Sequence, residues 1–363
     1  MAGPVVAPDA PTDAEAARTK VWPSTGAAYW ALAVIILATF MSFLDQVVFG
    51  MLAENIKRDF QLTDTQLGFL AGPATIICYF FVGIPLGRLA DIYPRKLVLS
   101  VSAGFVGMLI ALSGMAQSFS QFVGSRVFLA AGGSAHAPSS YSLLTDAFPP
   151  RVLTRAFALL QLGFIGGTTL GPIIGGRLVT ASNSWVAEPF LGLTIFNWQW
   201  ALLYLAIPSF IAALLFLTVK EPQRLAPRAE AVHAPRDASL GRKIITFMGF
   251  DAARAIHAGG KVYYPMFGAL ALSAIESFGI MFWRTPYLMR EFGWSPAQIG
   301  DLIGSVALIA SISGMIVGGI FVEWLAQRHK DANIRAAFIC FCGSTAVILT
   351  ALLIPDPFWS SIA

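Results

Sequence analysis

Charge is scarce in this 363-residue chain: Asp, Glu, Lys and Arg make up 12% against 56% hydrophobic residues, where a soluble domain carries about 25% charged. Such a shortage excludes a chain whose whole surface faces water. Cysteine is scarcer still, with Cys78, Cys340 and Cys342 all inside apolar runs. Three thiols so placed exclude a disulfide framework and are expected to be buried as small hydrophobes. The four histidines are scattered, and no glycine-rich loop ends in Lys-Ser/Thr. Neither an enzyme constellation nor a nucleotide-driven pump is expected, and no cofactor or metal is implied. The net charge of +4 is divided among short loops and reads as a topology signal rather than as a nucleic-acid-binding surface.

What the chain does have is apolar length. Runs able to cross about 30 Å of hydrocarbon recur at 29–51, 66–87, 97–116, 122–145, 156–180, 199–219, 264–288, 298–322 and 336–354. Each is continuous rather than a short apolar–polar alternation, so the spans are helices and not barrel strands. The fold class is all-α and polytopic, with about nine helices. Residues 1–27, rich in Pro and Ala, form an N-terminal tail. Lys and Arg should gather on the cytoplasmic side. Arg88, Arg95 and Lys96 follow the second span, Arg151 and Arg155 the fourth, and Arg328, Lys330 and Arg335 the eighth, whereas the fifth gap has none. The N-terminus is therefore expected inside a cell inner membrane. Lys57, Arg58 and Arg290 run against this trend, but beside Glu54, Asp59 and Glu291.

The chain also repeats itself at an offset of 232 residues. Asp59–Gly72 matches Glu291–Gly304, with Phe60/Phe292, Gln66/Gln298, Gly68/Gly300, Leu70/Leu302 and Gly72/Gly304 identical, and the ungapped register goes on to pair Gly87 with Gly319 and Asp91 with Glu323. Spans 1–3 and 7–9 correspond and run parallel. The expected layout is two six-helix bundles related by a parallel pseudo-repeat: 28–219, a cytoplasmic loop over 220–262, and 263–363, truncated after about helix 9.

Parallel halves of six helices are the layout of major facilitator superfamily transporters, and local motifs carry the resemblance further. Gly87-Arg-Leu-Ala-Asp91-Ile-Tyr-Pro-Arg95-Lys96 resembles the family's cytoplasmic signature, which implies a gate of Gly87, Asp91, Arg95 and Lys96. Ile92 and Pro94 depart from it and leave Asp91 with Arg95. Arg126-Val-Phe-Leu-Ala-Ala-Gly132-Gly133 resembles the second motif, whose arginine faces the cavity. Its expected partner is Asp45, the alternative being an arginine that snorkels to the interface. Gly167, Gly171, Pro172, Gly175 and Gly176 match the third motif, a packing and hinge device in which Pro172 bends the helix. The wording around Phe43-Leu44-Asp45-Gln46 and Phe60-Gln61-Leu62-Thr63 resembles the spinster-like and anion/hexuronate symporter branches. Gln46 and Gly133 replace the Arg and Glu usual there, so those two roles do not carry over.

Three further polar residues lie inside spans. Glu276, in span 7, is a proton-site candidate or a protonated acid hydrogen-bonded between helices. His136 either faces the cavity or bonds a neighbouring helix. Arg284 either binds an anionic substrate or stays interfacial. Trp185, Trp198, Trp200, Trp283 and Trp294 fit an aromatic belt. The expected function is secondary active transport of a small organic solute, an organic anion, by alternating access with proton coupling through Asp45, Glu276 or His136. The protein is expected to act as a monomer in the bilayer. The alternatives are a spinster-type lipid or lysolipid exporter and a non-transporting receptor of the same fold, which the altered second signature at Glu323-Trp324 favours.

Overall fold

The computed structural model describes residues 22–185, 189–190, 193–224, 256–329 and 331–351. The N-terminal tail, most of the 220–262 loop, Lys330 and the last dozen residues lie outside them. The described chain is helical apart from a two-residue antiparallel pairing of 189–190 with 193–194.

Helix α1 (Thr25–Met51) starts at Ser24, whose hydroxyl accepts the Ala27 N–H, and a short α2 (Ala53–Asp59) follows. Span 2 opens with α3 (Asp64–Phe69), passes through a π-turn at Leu70–Ala74 containing Pro73, and continues as α4 (Thr75–Ile92). Pro94 disfavours helical geometry at the residue before it; Tyr93 is extended, and α5 (Arg95–Gly114) starts afresh. Span 4 is two helices, α6 (Phe119–Gly133) and α7 (His136–Ala147). Pro138 has no N–H to give the Ser134 carbonyl, which accounts for a break there. Pro149-Pro150 opens α8 (Pro150–Asn183), and α9 (Gln199–Thr218) closes this first group. The second group is α10 (Gly260–Phe292), α11 (Pro296–Ala326) and α12 (Ala332–Ala351). Among the described residues seven helices are long and apolar enough to cross a membrane, and α12 adds a shorter apolar stretch, Ile334–Val347.

The repeat is visible in backbone detail. Thr63 with Gln66 and Ser295 with Gln298 build the same reciprocal capping box at the starts of α3 and α11. In each case the residue two positions before the cap is in the left-handed region, Gln61 at φ 53° and Gly293 at φ 66°, and these are mates at the 232-residue offset.

Helix α1 runs through two apolar clusters. Ala28, Leu32 and Ile35 pack with Leu143, Leu144, Leu160 and Phe216; Leu44, Val48 and Met51 pack with Phe122, Trp198 and Phe282. Trp198 is therefore no belt residue: it is 1% exposed, and its indole N–H donates to Asp59 at 2.9 Å. Cys340 and Cys342 are exposed on α12 rather than buried. The close contacts between the two groups lie at the end of the molecule that carries α2. There α11 lies on α8, and Phe282 of α10 meets Phe49 of α1. Towards the opposite end, the one that carries Arg95, Ile309, Ile312, Ile316 and Ile320 of α11 are exposed.

Candidate functional site

A carboxylate inside a span is costly unless it is paired. Asp45 of α1 is 5% exposed and Arg126 of α6 4%, and Arg126 Nη1 donates to Asp45 Oδ2 at 2.8 Å. The expected pair forms, and Arg126 is buried rather than snorkelling. Each ion brings an aromatic ring one turn away on its own helix, Phe49 four residues after Asp45 and Phe122 four before Arg126. The two rings cover the guanidinium at 4.7 and 5.5 Å, contacts that strengthen where water is excluded. Asp45 Oδ1 and Arg126 Nε and Nη2 are buried without a hydrogen-bond partner. The pair thus holds unused bonding capacity.

The other intramembrane candidates are separate from it. Thr39 of α1 donates its hydroxyl proton to Ile35 O at 2.8 Å and meets His136 Nε2 at 3.2 Å. The imidazole is thus hydrogen-bonded through Nε2 to a neighbouring helix. Glu276 is half-buried with its Oε1 3.3 Å from the Thr345 hydroxyl of α12, the helix-bridging arrangement. Arg284 is half-buried on α10 and not free.

At the Arg95 end the signature gains partners from outside the motif. Asp91 closes α4 with its side chain outside the described ones, and the Arg95 guanidinium has its described partners beyond the motif. It is 1% exposed, paired with Asp146 at the end of α7, bonded to Ser142 O at 2.6 Å and 3.7 Å from Glu221. The Glu221 carboxylate also accepts the Arg95 and Lys96 backbone N–H groups at 3.1 and 3.0 Å. It thereby caps α5, whose own cap residue, Pro94, offers no side-chain bond. Arg224 Nη2 donates to the Ala90 and Tyr93 carbonyls at 2.8 and 2.7 Å, closing α4. The residues after α9 form a strap across the α4–α5 turn. Gly87 lies on α7, where an added Cβ would stand 3.9 Å from Pro138 Cγ.

The α8 glycines are packing devices. A Cβ on Gly167 would stand 2.5 Å from Phe43 Cβ; Gly171 and Gly175 face Val47 and Val48 of the same helix α1, and Gly176 faces Pro296 of α11. Helix α8 runs unbroken through Pro172, whose carbonyl lies against Gly300 of α11.

The α2 end carries ion pairs between the two groups. Arg290 of α10 does not turn to Glu291: it donates to Glu54 at 2.8 Å and, through two nitrogens, to Asp64 at 2.7 and 3.2 Å. Arg177 of α8 pairs with Asp301 of α11 at 3.1 Å. Lys57 and Arg58 are bonded to Asp64 and Asp59, both at 2.8 Å. Sequence reasoning missed Asp146, Glu221, the stacked phenylalanines and this network. Aromatics at i±4 from a buried ion were the legible signal for the rings.

Comparisons with known proteins agree with this architecture. The Major Facilitator Superfamily profile matches residues 35–363. Protein spinster of Drosophila melanogaster is 20% identical over 318 residues, 85% of this chain and 48% of that protein. An MFS-type efflux pump of Mycolicibacterium smegmatis (strain ATCC 700084 / mc(2)155) is 24% identical over 301 residues, 83% and 64% of the two chains. Sphingosine-1-phosphate transporter SPNS2 of Danio rerio is 22% identical over 337 residues, 88% and 61%. The chain thus spans about half to two thirds of the length of these relatives. Among solved structures, a bacterial homologue of the human lysosomal transporter Spinster superposes with a TM-score of 0.71 at 24% identity, covering 94% of this chain and 72% of that one. The D-xylose-proton symporter superposes at 0.53 with 13% identity, covering 92% and 80%. With its helical layout, its parallel repeat and this match along most of its length, the chain belongs to the Major Facilitator Superfamily, as a spinster-like, multi-pass membrane protein.

Proposed function

We propose that the protein is a proton-coupled secondary transporter of a small organic anion, working by alternating access in a cell inner membrane. The observation that carries this reading is the buried Asp45–Arg126 pair, with unused bonding capacity on both ions. A carboxylate that exchanges an arginine for a proton can link an ion gradient to a change of shape. The arginine it releases suits an anion.

The halves are residues 28–219 and 263–363, joined by a cytoplasmic loop over 220–262. The N-terminus is cytoplasmic, which puts the α2 end outside. The three basic residues that break the positive-inside pattern support this orientation, since Lys57, Arg58 and Arg290 are each ion-paired. With that orientation the closed seam is external and the molecule faces inward. The protein works as a monomer. His136 and Glu276, tied to Thr39 and Thr345, are assigned to helix contacts, and Arg284 to the wall of the cavity. Gly87, Asp91, Arg95 and Lys96 serve as the cytoplasmic gate; Gly176 and Pro172 line the seam about which the halves move, while Gly167, Gly171 and Gly175 pack α8 on α1.

The test is uptake of small organic acids into proteoliposomes under an imposed pH gradient. Accumulation should follow the gradient and be lost in Asp45→Asn; undiminished coupled uptake in that variant would sink the reading. Export of a lipid is the second reading, favoured by the likeness to a sphingosine-1-phosphate transporter. It predicts lysolipid movement in place of organic-acid uptake.

A further inference from the structure

Phe49 touches both the ion pair and the seam. On one side its ring lies 4.7 Å under the Arg126 guanidinium and 6.1 Å from Phe122. On the other it meets Phe282 of α10 at 5.3 Å. Beside it the chains are close: a Cβ on Gly50 would stand 3.4 Å from the Phe282 carbonyl oxygen. Phe282 packs edge-on against Trp283 at 5.3 Å, and Arg290, which ties α10 to Glu54 and Asp64, lies over Trp283 at 6.0 Å. Phe49 is only 8% exposed.

From this arrangement we infer that Phe49 is the positioning residue through which the Asp45–Arg126 pair controls the seam between the two halves. The inference rests on the proton-coupled reading above. Arg126 is held by one carboxylate and two ring faces, and two of its nitrogens are unbonded. When Asp45 takes a proton, the attraction holding the guanidinium to α1 falls to that of a neutral acid, and the free N–H groups draw it to another acceptor. The guanidinium cannot leave without withdrawing from the Phe49 face. The ring then follows or tilts, and Phe282 loses its packing partner across the seam. Because packed aromatic contacts are made or broken rather than stretched, a small shift at the ion pair releases α10 from α1. The titratable and charged groups on the elements around this pair are few. His136 of α7 meets α1 at Thr39, a turn and a half from Asp45; α10 carries Glu276 and Arg284, with Lys261, Tyr263, Tyr264, Tyr287, Arg290 and Glu291 nearer its ends; Arg151, Arg155 and Arg177 lie towards the ends of α8; α9 carries Tyr204 and no charged residue. Among the ion pairs formed by described residues, Asp45 has Arg126 alone.

The experiment reads the seam directly and needs no substrate. In a background with Cys78, Cys340 and Cys342 replaced by Ser, spin labels at Ser184→Cys and Glu291→Cys report the distance across the α2 end between pH 5 and 8 in proteoliposomes. The parent protein is expected to show a rising separated population as pH falls, and Asp45→Asn a population that ignores pH. Phe49→Leu keeps bulk and apolarity but removes the ring face; it should retain the ion pair and lose at least two thirds of the pH response. Phe282→Leu breaks only the inter-half contact, leaves the stack on Arg126 in place, and should show the same loss. If Asp45→Asn abolishes the response while both leucine variants keep the parent profile, Phe49 is not the link and the coupling reading survives. A parent profile flat in pH, or an Asp45→Asn profile like the parent's, overturns the coupling reading and this inference together.

Discussion

Replacing Gly300 by Ala tests whether the α8–α11 contact holds one conformation of the transporter. The added methyl would stand 2.8 Å from the Pro172 carbonyl carbon, nearer still to its oxygen, and 3.3 Å from Gly176 Cα. Ordinary contact begins at 3.4 Å, so the shortfall against the Pro172 carbon alone is about 0.6 Å. All these neighbours are backbone, which cannot turn aside as the tip of a side chain can. Helices α8 and α11 must part. Forced overpacking costs about 1–3 kcal/mol, and since every 1.4 kcal/mol is tenfold, the seam-closed population should fall roughly 5- to 140-fold relative to the open one. Gly167→Ala is the control: its methyl strikes Phe43 and Phe40 of α1, inside the first group of helices, so it should lower stability without favouring either conformation. The assay is the distance between spin labels at Ser184→Cys and Glu291→Cys. A Gly300→Ala protein that is folded and keeps the parent distance distribution would refute the reasoning, as would an equal shift from Gly167→Ala.

Gln61 is held at φ 53°, a region that costs a side-chain-bearing residue about 1–2 kcal/mol. Gln61→Gly should therefore raise the melting temperature in detergent, by roughly 0.5–1 kcal/mol of stability once the added chain entropy of glycine is subtracted; an unchanged or lower melting point would count against that strain. Arg290→Ala removes exposed pairs worth about 0.2–1 kcal/mol each. It should open the same label distance, though less than Gly300→Ala does, and 1 M salt should reproduce part of the effect in the parent. Arg95→Leu leaves Asp146 buried without its arginine and should cost about 3–5 kcal/mol, read as loss of folded protein on heating. A loss under 1 kcal/mol would mean that water already reaches that pair.

Much of the fold was legible because span length and repetition are one-dimensional signals. The 232-residue register was readable from residues such as Gly68/Gly300 and Gln66/Gln298, and the structure returns it as twin capping boxes and twin left-handed residues. The break in span 4 was not read, although Pro138 marks it, because hydropathy does not register a missing N–H. At the site, Asp45 and Arg126 could be matched by charge and depth alone. Partners chosen by distant chain segments could not. Arg95 goes to Asp146 and Glu221, 51 and 126 residues away, and Arg290 passes over its neighbour Glu291 for Glu54 and Asp64. Trp198 was misplaced for the same reason: its indole looks interfacial in sequence, yet Asp59 satisfies it inside the protein.

The strap of Glu221 and Arg224 moves the mooring of whatever joins the two halves. A connection that began at the end of α9 would pull on one helix along its axis. Fastened instead to the last carbonyls of α4 and the first amides of α5, it delivers any tension sideways, onto the turn that bears Arg95. Lengthening or loading that connection would then be felt first at the signature turn, and only afterwards by the helix from which the chain emerges.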